Sequence, residues 1–260
     1  MQITAFIGDV HGCVKSLEVL LNKLLKNYPI QQIVFLGDLV DRGIYSREVL
    51  QLVTELKSDF SVEVMRGNHE DMMLDFAEGI RNYKKNDWLS NGGKETIISI
   101  SGMKLYKRFL MGENIFEAFG CDLKQFDSVL KNLKLYYIFT FTDKKIFVSH
   151  AGLSDFSKPP EEQLEDIGIF FRKIKYPYLW SREITHMNEK YFDYTIIHGH
   201  TPINKIISRR SGTAPLFKKD ANGNILTINV DTGCVYGDSL SAVLTENGLD
   251  FESETVKCKK

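Results

Sequence analysis

The chain carries six histidines. Five of them, His11, His69, His150, His198 and His200, follow an apolar run directly or within a few residues; His186 is the exception. One histidine in such a place is usually a hydrogen-bonded structural residue. Five of them, interleaved with Asp9, Asp38 and Asn68, are not explained by packing. Carboxylates, imidazoles and one amide oxygen, with sulfur missing, make a donor set for borderline-hard divalent metals such as manganese, iron or zinc. Two metals need a bridging carboxylate, and a spacing of about 3.5–4 Å lets them hold one water between them. Charge counting points the same way. Two divalent cations bring four positive charges, and two aspartates with a bridging hydroxide remove three. The positive remainder suits a phosphate. Arg42 and Arg182 would add the forked donors that match phosphate oxygens.

Such residues converge only if the chain places them at one edge. The first 80 residues repeat a rhythm of apolar run, glycine or polar turn, then helix-like stretch. Ile3 to Ile7 runs into Gly8-Asp9-Val10-His11-Gly12, followed by Leu17, Leu20, Leu21, Leu24 and Leu25 at helical spacing. Ile33 to Leu36 runs into Gly37-Asp38, followed by Val49, Leu50, Val53 and Leu56. Val62 to Met65 runs into Arg66-Gly67-Asn68-His69 and a third helix. The rhythm predicts βαβ units around a largely parallel sheet. In such a sheet ligands bind beyond the carboxyl ends of the strands. Residues 71–134 read as helical, with Leu123, Phe126, Val129, Leu130 and Leu133 forming one amphipathic helix. From residue 135 strands are expected at Leu135–Thr142, Ile146–Ser149, Tyr194–Ile197, Leu226–Val230 and Leu240–Thr245. Asp143-Lys144-Lys145 and the polar stretch Arg209–Gly223 read as hairpin turns. Lys257-Cys258-Lys259-Lys260 reads as a solvated basic tail. Residues 1–260 are expected to be a single domain with a helical insertion.

Composition narrows the function. Hydrophobic residues are 43% and charged residues 26%, the profile of an ordinary globular protein. The longest unbroken apolar run, Leu135 to Phe139, is far too short for a transmembrane helix. The first apolar stretch breaks at Gly8-Asp9 with no basic region before it, so no secretory leader is expected. Lysine and arginine total 33 against 34 aspartates and glutamates, so no global charge draws the protein to nucleic acid or an anionic membrane. Cys13, Cys121, Cys234 and Cys258 show no C-x-x-C spacing. They read as reduced thiols of a cytoplasmic protein, and no cysteine zinc site is expected.

Gly8-Asp9-Val10-His11-Gly12, Gly37-Asp38-Leu39-Val40-Asp41-Arg42-Gly43 and Arg66-Gly67-Asn68-His69-Glu70 resemble three signature blocks of the phosphoprotein phosphatase family of metallophosphoesterases. Ser149-His150-Ala151-Gly152 and Gly199-His200-Thr201-Pro202 resemble its fourth and fifth. Asn86-Asp87-Trp88-Leu89-Ser90-Asn91-Gly92-Gly93, Leu179-Trp180-Ser181-Arg182-Glu183 and Val230-Asp231-Thr232-Gly233 are similar to stretches of its phage lambda and bacterial serine/threonine phosphatase branch. The resemblance covers about residues 3–93 and 135–245. It implies an α/β calcineurin-like metallophosphoesterase fold, a two-sheet β-sandwich flanked by helices. It implies that Asp9 and His11 bind one metal, that Asp38 bridges to the second, and that Asn68, His150 and His200 complete the second site. It implies two divalent ions, manganese first, with iron, zinc, cobalt or nickel as substitutes. Arg42, Asn68 and Arg182 would hold the phosphate. His69 would protonate the leaving oxygen and Asp41 would orient His69. A hydroxide held by the metals would attack phosphorus in line.

The activity so implied is hydrolysis of phosphoserine and phosphothreonine, with phosphotyrosine open, in phosphoprotein or phosphopeptide substrates. One rival is a bis(5'-nucleosyl)-tetraphosphatase. Its symmetrically cleaving group resembles the same blocks but carries alanine in place of Asp41 and aspartate in place of Glu70. A nuclease or cyclic-nucleotide phosphodiesterase would usually carry a histidine where Pro202 stands. The remaining rival is an inactive phosphoprotein-binding scaffold, which would have lost ligands. Several residues keep two readings. His198 is a strand residue or a neighbour of the ligands. Tyr236 lies near where the family places an aromatic residue beside the phosphate, or is a packed tyrosine. Asp231 ties its own turn or joins the site. Arg66 aids the site or pairs with a structural carboxylate. Trp88 and Trp180 read as packing residues under the loops. Arg209-Arg210 with Lys218-Lys219 either guide an acidic substrate or form a solvated hairpin.

Overall fold

The computed structural model describes residues 3–80, 88–142, 144–153, 155–160, 177–187, 191–207 and 214–259. In chain order the strands are β1 (Ile3–Ile7), β2 (Ile30–Phe35), β3 (Ser61–Val64), β4 (Tyr136–Thr140), β5 (Lys145–Ser149), β6 (Tyr194–His198), β7 (Leu216–Lys219), β8 (Ile225–Asn229), β9 (Ser239–Thr245) and β10 (Phe251–Lys257). The helices are α1 (Val14–Asn27), α2 (Ser46–Leu56), α3 (Asn68–Ala77), α4 (Lys94–Leu110), α5 (Phe116–Leu123), α6 (Asp127–Leu130) and α7 (Ile203–Ile206).

The strands form two five-stranded sheets, ordered β10-β9-β1-β2-β3 and β4-β5-β6-β8-β7. Each is mixed rather than largely parallel. In the first, β1, β2 and β3 pair parallel while β9 and β10 run antiparallel. In the second, β5, β6 and β8 are parallel and the edge strands β4 and β7 antiparallel. Alternation along each strand sorts the side chains. Phe6, Val34, Leu36 and Met65 meet Ile146, Val148, Ile197, Ile228 and Val230 between the sheets. Ala5, Ile7, Ile33 and Phe35 point the other way and bury the leucine face of α1, Leu17, Leu20, Leu21 and Leu24. Each such burial contributes about 1.5–3 kcal/mol.

Several expectations need correction. The single helix over Leu123–Leu133 is instead the end of α5, a 3-10 turn at Lys124–Phe126 and the short α6. Leu123, Phe126 and Val129 recur every third residue, a spacing that a three-residue turn satisfies as well as an α-helix does. The stretch read as a hairpin turn at Arg209–Gly223 contains β7, and the turn itself is confined to Asp220–Asn224. Arg209 and Arg210 lie outside the described residues. Lys218 is half-buried and tied to the fold, because its Nζ donates to the Thr185 and Met187 carbonyls at 2.7 and 2.8 Å. Asp143 also lies outside the described residues, but β4 and β5 do pair as antiparallel neighbours around it. The basic tail is anchored: Lys257 ends β10, the Cys258 N–H donates to the Asp238 carbonyl and the Lys259 N–H to Ser16 Oγ. No described helix is long and apolar enough to cross a membrane.

Candidate metal centre

The loops at the carboxyl ends of the parallel strands carry the polar residues. Asp9 and His11 follow β1, Asp38 to Arg42 follow β2, Asn68 and His69 open α3 after β3, His150 follows β5 and His200 follows β6. The backbone bends sharply there. His11, Asp38, Asp41, Arg42 and His200 all have φ between 46° and 71°, a left-handed conformation that L residues rarely adopt. Such outliers persist only where the surroundings hold them, and they concentrate at functional sites. Close approach adds to this. A Cβ at Gly199 would lie 2.1 Å from Asp9 Oδ1, and one at Gly67 would lie 2.2 Å from Asp38 Oδ1.

All ten residues singled out from the sequence for metal, phosphate or proton transfer are connected. Asp38 lies at the middle. Its Oδ2 is 3.4 Å from His11 Nε2 and 3.9 Å from His69 Nε2, and its Oδ1 is 3.4 Å from His150 Nε2. Asn68 Oδ1 is 3.0 Å from both His150 Nε2 and His200 Nδ1. Those two nitrogens are 3.2 Å apart. Asp9 accepts the His200 backbone N–H on both oxygens. Arg42 reaches His11 Nε2 with its guanidinium, and Arg182 donates to Thr201 Oγ1 at 2.9 Å, beside His200. One detail departs from the expected grouping. The tight triad around Asp38 on the first side is His11, Asp38 and His69, with Asp9 turned towards His200.

The donor chemistry fits two cations sharing Asp38. His11 Nδ1 and His150 Nδ1 donate to the Val40 and Leu36 carbonyls, leaving each Nε2 aimed at the cluster. Asn68 Oδ1, His150 Nε2 and His200 Nδ1 then converge as acceptors, while buried His200 Nε2 has no hydrogen-bond partner. Electrostatics report the same imbalance. Burial works against the charge on Asp38, yet His150 and His69 hold its carboxyl well below the usual range. Burial also opposes the charge on His150, but Asp38 raises this imidazole to about 10. Burial, with Asp231 nearby, raises Asp9. Burial lowers His11 and His200.

His69 is built differently from the other imidazoles. Its Nδ1 donates to Asp41 Oδ2 at 2.7 Å, leaving Nε2 facing the cluster. Asp41 is fully buried and is held by Trp88 Nε1 at 2.8 Å and Thr96 Oγ1 at 2.6 Å. Trp88 is therefore a positioning residue as well as a packing one. Trp180 packs edge-on to His200, ring centroids 6.1 Å apart. Arg66 pairs with Asp71 at 2.7 Å, the structural alternative. Asp231 accepts the Gly233 N–H and so ties its own turn; burial raises it to about 6. His198 ends β6, is buried, and contacts the Gly199 carbonyl rather than the cluster. Tyr236 is not packed: it is half-exposed, with the Arg42 guanidinium 5.6 Å and Lys205 Nζ 5.1 Å from its ring centre.

Sequence reasoning missed the role of Glu70. This fully buried carboxylate accepts the backbone N–H groups of Asp38, Leu39, Val40 and Gly67, at 2.9, 2.7, 3.3 and 3.0 Å. It clamps the loop that carries Asp38. A glycine followed three residues later by glutamate at a helix start is the spacing of a capping box, and that was the available signal. Lys205 was missed too, since it belongs to no block with a chemical meaning of its own, and Thr201 was read only as part of the Gly199-His200-Thr201-Pro202 block.

Residues 4–242 match the family model described as calcineurin-like phosphoesterase. The chain belongs to the calcineurin-like phosphoesterase family. Its curated relatives include the bis(5'-nucleosyl)-tetraphosphatase PrpE (asymmetrical) of Oceanobacillus iheyensis, 28% identical over 91% of this chain and 86% of that protein. The protein of the same name from Halalkalibacterium halodurans is 25% identical over 91% of this chain and 87% of its own length. Among solved structures, a serine/threonine phosphatase of Saccharomyces cerevisiae superposes with a TM-score of 0.57 at 18% identity, covering 99% of this chain and 80% of that one. That likeness is one of fold. Both of these curated relatives are named for dinucleotide substrates.

Proposed function

We propose that this phosphoesterase hydrolyses bis(5'-nucleosyl) tetraphosphates asymmetrically, at a centre of two divalent ions, manganese first. The observation that carries this reading is the half-exposed Tyr236 ring between Lys205 and Arg42, the latter reaching the metal ligand His11. A half-exposed aromatic ring offers surface to a nucleoside, and the cations beside it would extend phosphate recognition beyond one phosphoryl group. The names of the curated relatives support the same substrate class. The Asp41 and Glu70 pattern argues only against symmetrical cleavers. Glu70 is also spent entirely on backbone N–H groups, so it cannot read a substrate.

Asp9, His11 and Asp38 would hold one ion, and Asp38, Asn68, His150 and His200 the other. The bound ions would supply Lewis acidity and acidify water at the phosphorus. Arg42, Arg182 and Asn68 would orient the phosphoryl group for in-line attack. Water adds to a terminal phosphorus of the tetraphosphate and its bond to the bridging oxygen breaks, releasing a nucleoside monophosphate and a triphosphate. His69, held by Asp41, would offer its Nε2 proton to the departing oxygen. A cytoplasmic enzyme suits both this substrate and the free cysteines.

The second reading is a phosphoprotein phosphatase. The His69–Asp41 pair favours it, because a serine or threonine alkoxide needs a proton on departure more than a triphosphate does. Turnover of diadenosine tetraphosphate and of a phosphoserine/phosphothreonine peptide, side by side with manganese, separates the two. Preferential release of AMP and ATP is the expected result. Phosphate release from the peptide with little dinucleotide cleavage overturns it. Asp38→Asn should abolish stoichiometric metal binding under either reading, and two ions retained in that variant would refute the bridge.

A further inference from the structure

Three of the four cysteines, remote in sequence, meet at one point on the far side of the His11 loop. Cys13 closes the loop between β1 and α1, Cys234 opens the 3-10 turn after β8, and Cys258 follows β10. Their sulfurs all lie within 4.8 Å of one another. Cys234 is buried, whereas Cys13 and Cys258 are half-buried, so the cluster has an open side. Spacing along the chain does not reveal such a cluster, because it is assembled from three separate segments.

We propose that Cys13, Cys234 and Cys258 form a three-sulfur site for a thiophilic d10 cation, Zn(II) or Cu(I). A metal–sulfur bond of about 2.3 Å places three thiolates about 3.8–4.0 Å apart around one ion. The sulfurs need to close by less than about 1 Å. Their supports are already fixed on each side. The Cys13 N–H donates to the Val10 carbonyl, Gly233 takes a left-handed φ of 75° to turn Cys234 inward, and the Cys258 N–H donates to the Asp238 carbonyl. The Ser16 hydroxyl borders Cys234 and accepts the Lys259 N–H, pinning the terminal segment over the cluster. The donor types segregate cleanly. The phosphoesterase centre offers only nitrogen and oxygen, which suits manganese, while this point offers sulfur, which selects softer ions. Binding releases the three thiol protons to solvent as three metal–sulfur bonds form, with no change of oxidation state. The ion would join the loops bearing His11 and Tyr236 to β10, so its binding registers as stability of the whole fold.

The test uses the full chain, reduced under anaerobic conditions and preloaded with manganese, titrated with Cd(II) as the d10 probe. A thiolate-to-cadmium ultraviolet charge-transfer band should saturate at one equivalent and raise the melting temperature. Cadmium entering the phosphoesterase centre gives no such band, because no sulfur is there. Cys234→Ser and Cys258→Ser should each lose the band or weaken binding at least about tenfold, with circular dichroism unchanged. Cys121→Ser, an exposed thiol outside the cluster, should retain it. Displacement of the band by one equivalent of Zn(II) or of Cu(I) supports the site and identifies which ion it prefers. No band at one equivalent, a band surviving in Cys234→Ser and Cys258→Ser, or displacement by neither ion overturns the proposal.

Discussion

Replacing His69 by asparagine removes the one imidazole in the cluster whose second nitrogen is committed to a buried carboxylate. His69 Nδ1 lies 2.7 Å from Asp41 Oδ2, and Asp41 is itself fixed by Trp88 and Thr96, so Nε2 is aimed without freedom to rotate. A positioned general acid contributes about 10²- to 10⁴-fold when the leaving group needs a proton. His69→Asn should therefore lower kcat on an alkyl phosphate by that factor. On diadenosine tetraphosphate, whose leaving triphosphate departs as a stable anion, the loss should stay below about tenfold. Asp41→Asn leaves the ring but weakens its charged hydrogen bond, worth about 1.5–3 kcal/mol. If that is expressed wholly in the transition state, kcat on the alkyl phosphate falls about 10- to 150-fold. The two residues act as a unit, so the double variant should be no slower than His69→Asn alone. The assay is steady-state turnover of both substrates on each variant, with thermal melts to show that the fold survives. Equal losses on the two substrates, or additive losses in the double variant, would refute proton donation through this pair.

Glu70→Gln should lower stability by about 2–6 kcal/mol, read by denaturant unfolding, because its NH2 would face two backbone N–H groups that the carboxylate oxygen accepts, leaving them without an acceptor. Manganese affinity should fall in the same variant, since the clamped loop carries Asp38; an unchanged melt would refute the clamp. His198 is pulled down to about 4 by burial, below its unfolded value near 6.5, so its neutral form is what the fold favours. Its contribution is present above pH 6.5 and lost as pH falls to about 4, amounting to about 3 kcal/mol. His198→Phe should flatten melting temperature against pH across that window, and an identical profile would refute the assignment. Lys205→Ala should raise KM for diadenosine tetraphosphate about tenfold, leave kcat unchanged and leave 4-nitrophenyl phosphate unaffected, because under the proposed function its charge would meet the phosphates beyond the reacting one. Equal effects on both substrates would place Lys205 elsewhere.

The parallel strands were legible because their apolar runs end in glycine and a polar turn, and those ends are where the ligands stand. β10 was not, because Phe251-Glu252-Ser253-Glu254-Thr255-Val256-Lys257 is polar on its exposed positions and carries too few buried residues to announce a strand. Its pairing with β9 comes from tertiary contact, not local pattern. β7 was hidden likewise inside a lysine-rich edge. The ligand set was legible because each member belongs to a short block whose spacing carries meaning. The thiol cluster was not, because Cys13, Cys234 and Cys258 lie in three segments that only the fold brings together.

Substrate class was harder to read for a different physical reason. Four residues of the signature blocks are turned inward: Asp38 and His150 to the metal cluster, Asp41 to His69, Glu70 to four backbone N–H groups. Such residues describe how a phosphoryl group is held and cleaved, and they are the same whatever follows that group. The residues that meet the rest of a substrate must be exposed, and exposure frees them from packing rules. Lys205 lies on a four-residue helix with no pattern to predict it, and Tyr236, on a 3-10 turn, was legible only through the family resemblance. The Glu70 side chain could not discriminate among substrates because it touches none. A protein phosphatase and a dinucleotide hydrolase can therefore share the same interior, and under the proposed function the difference between them would rest on the exposed Tyr236 ring and on Lys205 beside it.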